Sequence, residues 1–531
     1  MNIKKKLFLL AFIVLSSSSF AQRLKDRSYY VENYQYSGAA GNNVGLIYSN
    51  DREFMAAIEN GFIDVNYKYE RGRTLLYKAL LEYQYKPEIF IRIADFLVKN
   101  GADVNIADDD GDTPLLSAVD NYNDYHTDGK LDTRIIDFLL KNKADVKVKN
   151  NMGITILFYL CKAKKPEIDL VKRLIKLGAP LNTPSDYSYS PLTYALENKN
   201  IELARILIES GADVNLKDNR ENYPLNSACH IGDLNFVKFM ISKGADVNVK
   251  GRDDYTPLHY AVDSGSKDSL ELVKLLVDNG ADVNAATKNG YTPLIFAGWE
   301  KNSFELIKYL VSKKADVNAK TYDGYNVGMS CARQLDLECY KFLEKNKFDF
   351  KSVDKNGDTV LQYFTSVVTC ENREQLLYYS KVMEKEAEIA EIIAFLAKKC
   401  GINRKNKYNT TPLHTACRSI IDYTKIIEPL IKNGADVNAK TDSGWTPIFS
   451  CGESPKMVQL LVDSGADLSV KDKYGKTYLD RCEEALKNNP NMSEVVEILK
   501  ANSKTKRNTV LFSFANTIIP TKHLKCSKKA M

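Results

Sequence analysis

Residues 244–248 read Gly244-Ala245-Asp246-Val247-Asn248, and eight positions after Asn248 the chain continues Thr256-Pro257-Leu258-His259-Tyr260-Ala261. The first string recurs unchanged at 101–105, 211–215, 280–284 and 434–438, with near copies at 315–318 and 465–468. The second returns at Thr113-Pro114, Thr292-Pro293, Thr411-Pro412 and Thr446-Pro447, each followed by Leu or Ile. Its fullest other copy is Thr411-Pro412-Leu413-His414-Thr415-Ala416, and Ser190-Pro191-Leu192 and Tyr223-Pro224-Leu225 are variants. Counting from the last residue of the first string to the head of the second gives eight at all twelve occurrences, from Asn66–Thr74 to Ser469–Thr477. The return segment varies from 23 to 44 residues and is most often 25, so the basic period is 33. A connection of constant length between segments of variable length marks one unit written repeatedly, not a chain of different domains.

Each letter has a physical reason. Thr at the head can cap a helix by accepting from an orphan backbone N–H. Pro suits the first helical position, where its missing N–H costs nothing. Leu follows on the buried side. Ala five past the head, at Ala79, Ala118, Ala195, Ala228, Ala261, Ala297 and Ala416, lets neighbouring helices approach. A second helix then shows apolar residues at three and four spacing, as in Leu272, Leu275 and Leu276, and Gly280 can end it with a positive φ. One such pair cannot bury both of its sides, so stability requires a stack with capped ends. Residues 51–66, with Phe54 and Ile58, read as the N-terminal cap, and a helix over 493–500 as the C-terminal one.

Carried on these strings, the chain resembles the ankyrin repeat over about 450 of its 531 residues. The resemblance implies an all-α repeat solenoid of about twelve stacked helix-turn-helix units joined by β-hairpin-like turns. It also implies protein–protein recognition through hairpin tips and first-helix faces, and a hydrogen-bonding rather than catalytic use of His259 and His414. The pattern is broken at Asn326-Val327-Gly328, at Thr359-Val360-Leu361 and at Lys399–Asn403, so residues 326–403 are expected to be the least regular part.

The ends differ from the body. The net charge of +6 arises from three lysines before residue 22 and seven Lys/Arg after residue 500, with no acid in either segment. The repeat body is slightly acidic, which argues against a nucleic-acid partner. Lys4-Lys5-Lys6, the apolar run Leu7–Leu15 and Ser19-Phe20-Ala21 form a secretory signal pattern over 1–21. Residues 22–50 are a Tyr/Gly-containing leader, 51–500 the solenoid, and 501–531 a basic tail expected to be disordered. The mature chain is expected to be exported (periplasmic or secreted), monomeric and without a transmembrane segment.

Candidate chemistry is sparse. Of ten cysteines, Cys161, Cys229 and Cys417 lie six past a head and Cys331, Cys451 and Cys482 five past, in the inward slot of the first helix. Equivalent slots in stacked repeats lie roughly 10 Å apart, beyond disulfide reach; Cys339, Cys370, Cys400 and Cys526 fall outside this rule. Gly475-Lys476-Thr477 and Asp108–Asp112 sit on the constant turn, which explains them without a phosphate or calcium ligand. No catalytic residue, cofactor or metal site is expected.

Binding surface remains. The position just before each head holds Tyr189, Tyr255, Tyr291, Tyr325 and Trp445. Tyr and Trp are hot-spot residues, so this stripe is the candidate partner site; packing of each ring on its own turn is the alternative. Lys recurs two past the Asn position on a mixed-charge turn. The reading is an exported, non-catalytic scaffold for a protein partner. A secreted effector acting on host-cell proteins is the alternative, and a repeat-decorated enzyme is disfavoured because no segment outside the repeats has room for a catalytic domain.

Overall fold

A computed structural model describes residues 46–83, 86–120, 133–163, 166–183, 185, 189–300, 303–369, 385–418 and 424–503. The signal segment, most of the leader, both large insertions and residues 504–531 therefore lie outside the described residues, as do Cys370 and Cys526. Among the described residues the chain is helices and turns, with isolated bridges Lys149↔Thr155, Lys320↔Asn326 and Lys471↔Thr477 closing three of the hairpins. It is the all-α repeat solenoid expected. The chain divides into two compact units, Met1–Arg252 and Asp253–Met531.

The first unit starts with α1 (Arg52–Glu59), followed by the pairs α2 (Leu75–Tyr83) and α3 (Pro87–Lys99), α4 (Pro114–Asp120) and α5 (Thr133–Lys141), and α6 (Ile156–Lys162) and α7 (Ile168–Lys176). It ends with α8 (Pro191–Glu197) and α9 (Ile201–Glu209), and α10 (Pro224–Ile231) and α11 (Leu234–Ser242). The second unit pairs α12 (Pro257–Asp263) with α13 (Ser269–Asp278), α14 (Pro293–Trp299) with α15 (Phe304–Ser312), and α16 (Val327–Ser330) with α17 (Leu337–Lys345). It continues with α18 (Val360–Val368) and α19 (Glu386–Leu396), and α20 (Pro412–Ala416) and α21 (Thr424–Lys432). A 3₁₀ turn, Pro447–Ser450, then pairs with α22 (Pro455–Asp463), and α23 (Tyr478–Leu486) precedes a last helix over 493–503. Within each unit first helices stack on first helices, as α4 on α6 and α6 on α8, or α12 on α14 and α14 on α16.

The letters act as their chemistry requires. Thr155, Thr292 and Thr359 cap α6, α14 and α18 by accepting from the backbone N–H three residues on. The Leu two past the head is buried in both units, as at Leu115, Leu192, Leu258 and Leu413, whereas Leu479 in the last repeat is half-buried; each buried Leu contributes about 2 kcal/mol. Ala195, Ala228, Ala261, Ala297 and Ala416 are fully buried, whereas Ala118 is only half-buried. Packing begins before the expected boundary at 51: Ile47 is buried, and the Tyr48 ring stacks on Tyr83 while its carbonyl accepts from Arg92. Phe54 and Ile58 are buried at the N-terminal cap; Val495, Val496 and Leu499 are buried in the last helix.

The irregular stretch has a packing explanation. A Cβ on Gly328 would come within 2.6 Å of the Phe348 ring. Phe348 and Phe350 replace the usual Ala and Val after α17 and pack edge to face at 4.8 Å. The glycine that breaks the Leu pattern thus makes space for the phenylalanine that breaks the Ala pattern. α16 has four residues and runs into a 3₁₀ turn, Cys331–Arg333. α19 ends in a π-turn, Ala397–Gly401, where the usual glycine stop is shifted.

Candidate functional site

The sequence resemblance directs the search for a binding surface to the hairpins and the first helices they lead into. Most of the described hairpins are organised by one side chain near their start. Asp108 Oδ1 accepts from the backbone N–H of Asp110 and Asp112, Asp354 from Asn356 and Asp358, and Asn406 from Tyr408 and Thr410. Thr287, Thr321 and Thr441 do the same for Tyr291, Tyr325 and Trp445. The acidic run Asp108–Asp112 is thereby explained as a turn, with Arg73 paired to Asp108 at 3.3 Å. Thr477 of the Gly-Lys-Thr string caps α23.

Successive hairpins are stitched in two places. At the tips one backbone N–H donates to the preceding hairpin: Tyr322 to Asn289, Lys355 to Asp323 and Lys407 to Asn356. At the base the Asn of the first string bridges repeats. Asn318 Oδ1 accepts from the Asp349 N–H at 2.8 Å, and its Nδ2 donates to the Lys347 carbonyl. Asn105, Asn215, Asn284, Asn403 and Asn438 make the same two bonds to the repeat that follows. Where Lys351 stands in place of Asn, its carbonyl accepts from Arg404 instead.

His259 joins head and neighbour. The Thr256 N–H donates to Nδ1, which leaves the proton on Nε2 for the Tyr291 carbonyl at 3.1 Å. His414 repeats this between Thr411 and the Trp445 carbonyl. Gln362 performs the same task with amide atoms, accepting from the Thr359 N–H and donating to the Thr410 carbonyl. Burial pushes His259 down to about 4 and lowers His414 as well, so both rings are neutral and have both nitrogens engaged at pH 7. Asn226 occupies the equivalent place after Tyr223, which makes no side-chain cap. Both ends of its amide are buried without a hydrogen-bond partner.

All five stripe residues, Tyr189, Tyr255, Tyr291, Tyr325 and Trp445, are half-buried. In the second unit the rings run on without a gap. Tyr255 meets Phe296, Phe296 meets Tyr291 and Trp299, and Tyr291 and Trp299 meet Tyr325. Tyr325 then meets Tyr363 at 5.2 Å. Trp299 Nε1 donates to the Tyr325 hydroxyl at 2.9 Å, and burial pushes that phenol up to about 12. Tyr189 lies against Tyr194 under the Arg220 guanidinium. Trp445 stacks on Phe449.

Two grooves adjoin this surface. In the second unit a groove of about 640 Å³ runs between α18, α20 and the hairpins leading to α20 and to the 3₁₀ turn. Asp358, Tyr363, Tyr408, Arg418, Asp442 and Trp445 line it. Burial raises the Asp358 carboxyl, opposed by the Asn406 amide that donates to it. In the first unit a smaller groove of about 390 Å³ lies among Phe158, Tyr159, Tyr189 and Tyr194, with Lys162 and Arg220 at its edge.

Sequence reasoning pointed to the hairpin tips but named none of the tyrosines on them. Tyr322, Tyr408 and Tyr474 are 83 %, 55 % and 68 % exposed, the most open large rings among the described residues. Lys407 and Lys473 lie over Tyr408 and Tyr474. The usable signal was the phase: these tyrosines stand on the eight-residue connection, three or four places before a head, where no ring can reach the core.

A family model described as ankyrin repeats (3 copies) matches residues 124–218, 225–321 and 328–441, more than half of the chain. The chain belongs to the ankyrin-repeat family. Alpha-latrocrustotoxin-Lt1a of Latrodectus tredecimguttatus is 43 % identical over 58 residues, which are 11 % of this chain and only 4 % of the toxin. Among solved structures, the human ASB11 ankyrin repeat domain is 20 % identical, with TM-score 0.38, over 46 % of this chain and 99 % of that one. The ankyrin repeat domain of Bcl-3, a member of the IkappaB protein family, is 26 % identical, with TM-score 0.34, over 40 % of this chain and 94 % of that one. Ankyrin repeats generally mediate protein–protein interaction. No described helix is long and apolar enough to cross a membrane.

Proposed function

We propose that this ankyrin-repeat chain is an exported, non-catalytic scaffold that holds a protein partner on the first-helix and hairpin surface of its second unit. The observation that carries this reading is the groove between α18 and α20. It joins three aromatic side chains, Tyr363, Tyr408 and Trp445, to two carboxylates, Asp358 and Asp442, and one guanidinium, Arg418. Rings give large contact area at low entropy cost, and the flanking charges select an orientation. The open ring of Tyr408 extends the surface outward.

Simultaneous Tyr408→Ala and Trp445→Ala should weaken partner binding roughly 1,000-fold, the cost of two hot-spot side chains, with the helical circular dichroism retained. Undiminished affinity would remove the groove from the account. Export rests on Lys4-Lys5-Lys6, the apolar run and Ser19-Phe20-Ala21. N-terminal sequencing of the exported product should begin at Gln22, and recovery from culture medium rather than periplasm would favour the effector role.

A further inference from the structure

The structure brings together two cysteines of one repeat. Cys331 follows α16 in the 3₁₀ turn, Cys339 lies in α17, and their sulfurs are 3.3 Å apart and buried. That is inside the contact distance of unbonded sulfurs, and a disulfide would shorten it to about 2.05 Å. We propose that Cys331 and Cys339 are a disulfide site that staples α16 to α17.

Three features point to this pair. First, the repeat is the one that needs a staple. α16 is a four-residue helix, and the turn between the helices places Leu335, a buried non-glycine residue, at φ 54 in the left-handed region. Second, the pair is local, eight positions apart, so the sulfurs meet as soon as one helical hairpin forms. Third, four of the other buried cysteines are less well placed. Cys161 and Cys229 are separated by the intervening helix α8. Cys417 and Cys451 interact across two adjacent repeats, so they meet only after both have stacked, and they are the competing pair.

The chemistry is thiol–disulfide exchange with a small-molecule or protein disulfide as oxidant. One cysteine thiolate attacks the oxidant, forms a mixed disulfide and expels one thiolate. The second cysteine attacks the first sulfur and expels the other. Two protein thiols become one disulfide, and one oxidant disulfide becomes two thiols. In the closed repeat the Cys339 thiol beside it, together with burial, pushes the Cys331 thiol well up. The bond therefore forms while the repeat is folding, and a chain folded in reductant should resist later oxidation.

The test needs the full chain refolded in a mixture of oxidised and reduced glutathione, then digested with trypsin without reductant. Trypsin cuts after Lys320, Arg333 and Lys341, so the two cysteines leave on separate peptides, 321–333 and 334–341. The expected result is one joined species, lighter than the two thiol peptides together by two hydrogens and split by reductant. Reduction should also lower the Tm of the wild-type chain by roughly 5 °C and leave that of a Cys331→Ala, Cys339→Ala chain unchanged. Separate thiol peptides in the oxidised digest, or a cross-link that joins Cys417 to Cys451 and leaves these two free, would overturn the proposal. The digest uses only the wild-type protein, so it stands even where the double variant folds poorly.

Discussion

His259, Gln362 and His414 do one job with two chemistries, and that equivalence gives a sharp test at the level of single residues. A neutral imidazole accepts on one nitrogen and donates on the other, as a primary amide does with oxygen and nitrogen. Only the imidazole titrates. His259 is held at about 4 against an ordinary 6.5, so between those values the unfolded chain binds the extra proton. Its contribution is complete above about pH 6.5 and is lost as pH falls toward 4, with a slope of at most about 1.4 kcal/mol per pH unit. Urea midpoints at pH 7 and pH 4.5 should therefore converge in His259→Gln relative to wild type. His259→Ala should cost about 2 kcal/mol, because the Thr256 N–H and the Tyr291 carbonyl lose their partner. Asn226→Ala should cost little or stabilise the chain, because that amide has no hydrogen bond to lose. The head motif showed where such residues stand. It could not show that Asn226 reaches nothing, since that depends on chain length at an inward position.

The hairpin was the most legible element. Its constant eight-residue spacing reflects tips that bond to one another in register, so no length change fits. The reason for glycine at the tip was not legible, because it lies in the next repeat. Gly324 has φ +80, and an added Cβ would lie 2.7 Å from Asp354 Cα. Gly475, in the last hairpin, has φ +76 but nothing within 4 Å. Both Gly→Ala changes carry the left-handed penalty of about 1 kcal/mol, and only Gly324→Ala adds a backbone clash. The difference should appear as a clearly larger loss of denaturation midpoint for Gly324→Ala. The exchange of bulk between Gly328 and Phe348 was illegible for the same reason. Two separate departures from pattern compensate across twenty residues, and neither explains itself alone. The aromatic stripe was found by position, yet its continuity through Phe296, Trp299 and Tyr363 needed the stacked geometry.

At the scale of the whole molecule, uniform repeats coexist with a stretch that relies on local compensation. A solenoid distributes stability over repeats and their interfaces, so a repeat with a four-residue first helix and a left-handed Leu335 should open before regular ones. Hydrogen exchange in reductant should find residues 326–403 exchanging earlier than 211–290, and equal protection would show that the phenylalanine packing makes up the loss in full. The central claim, however, concerns the surface. The second unit presents Tyr408 on the hairpin side, while Glu271 on α13 is exposed on a second helix. The most direct measurement places a photoreactive residue at either position in the producing cell and compares the adducts. The account predicts a partner adduct from position 408 and none from position 271; adducts from 271 with none from 408 would contradict it.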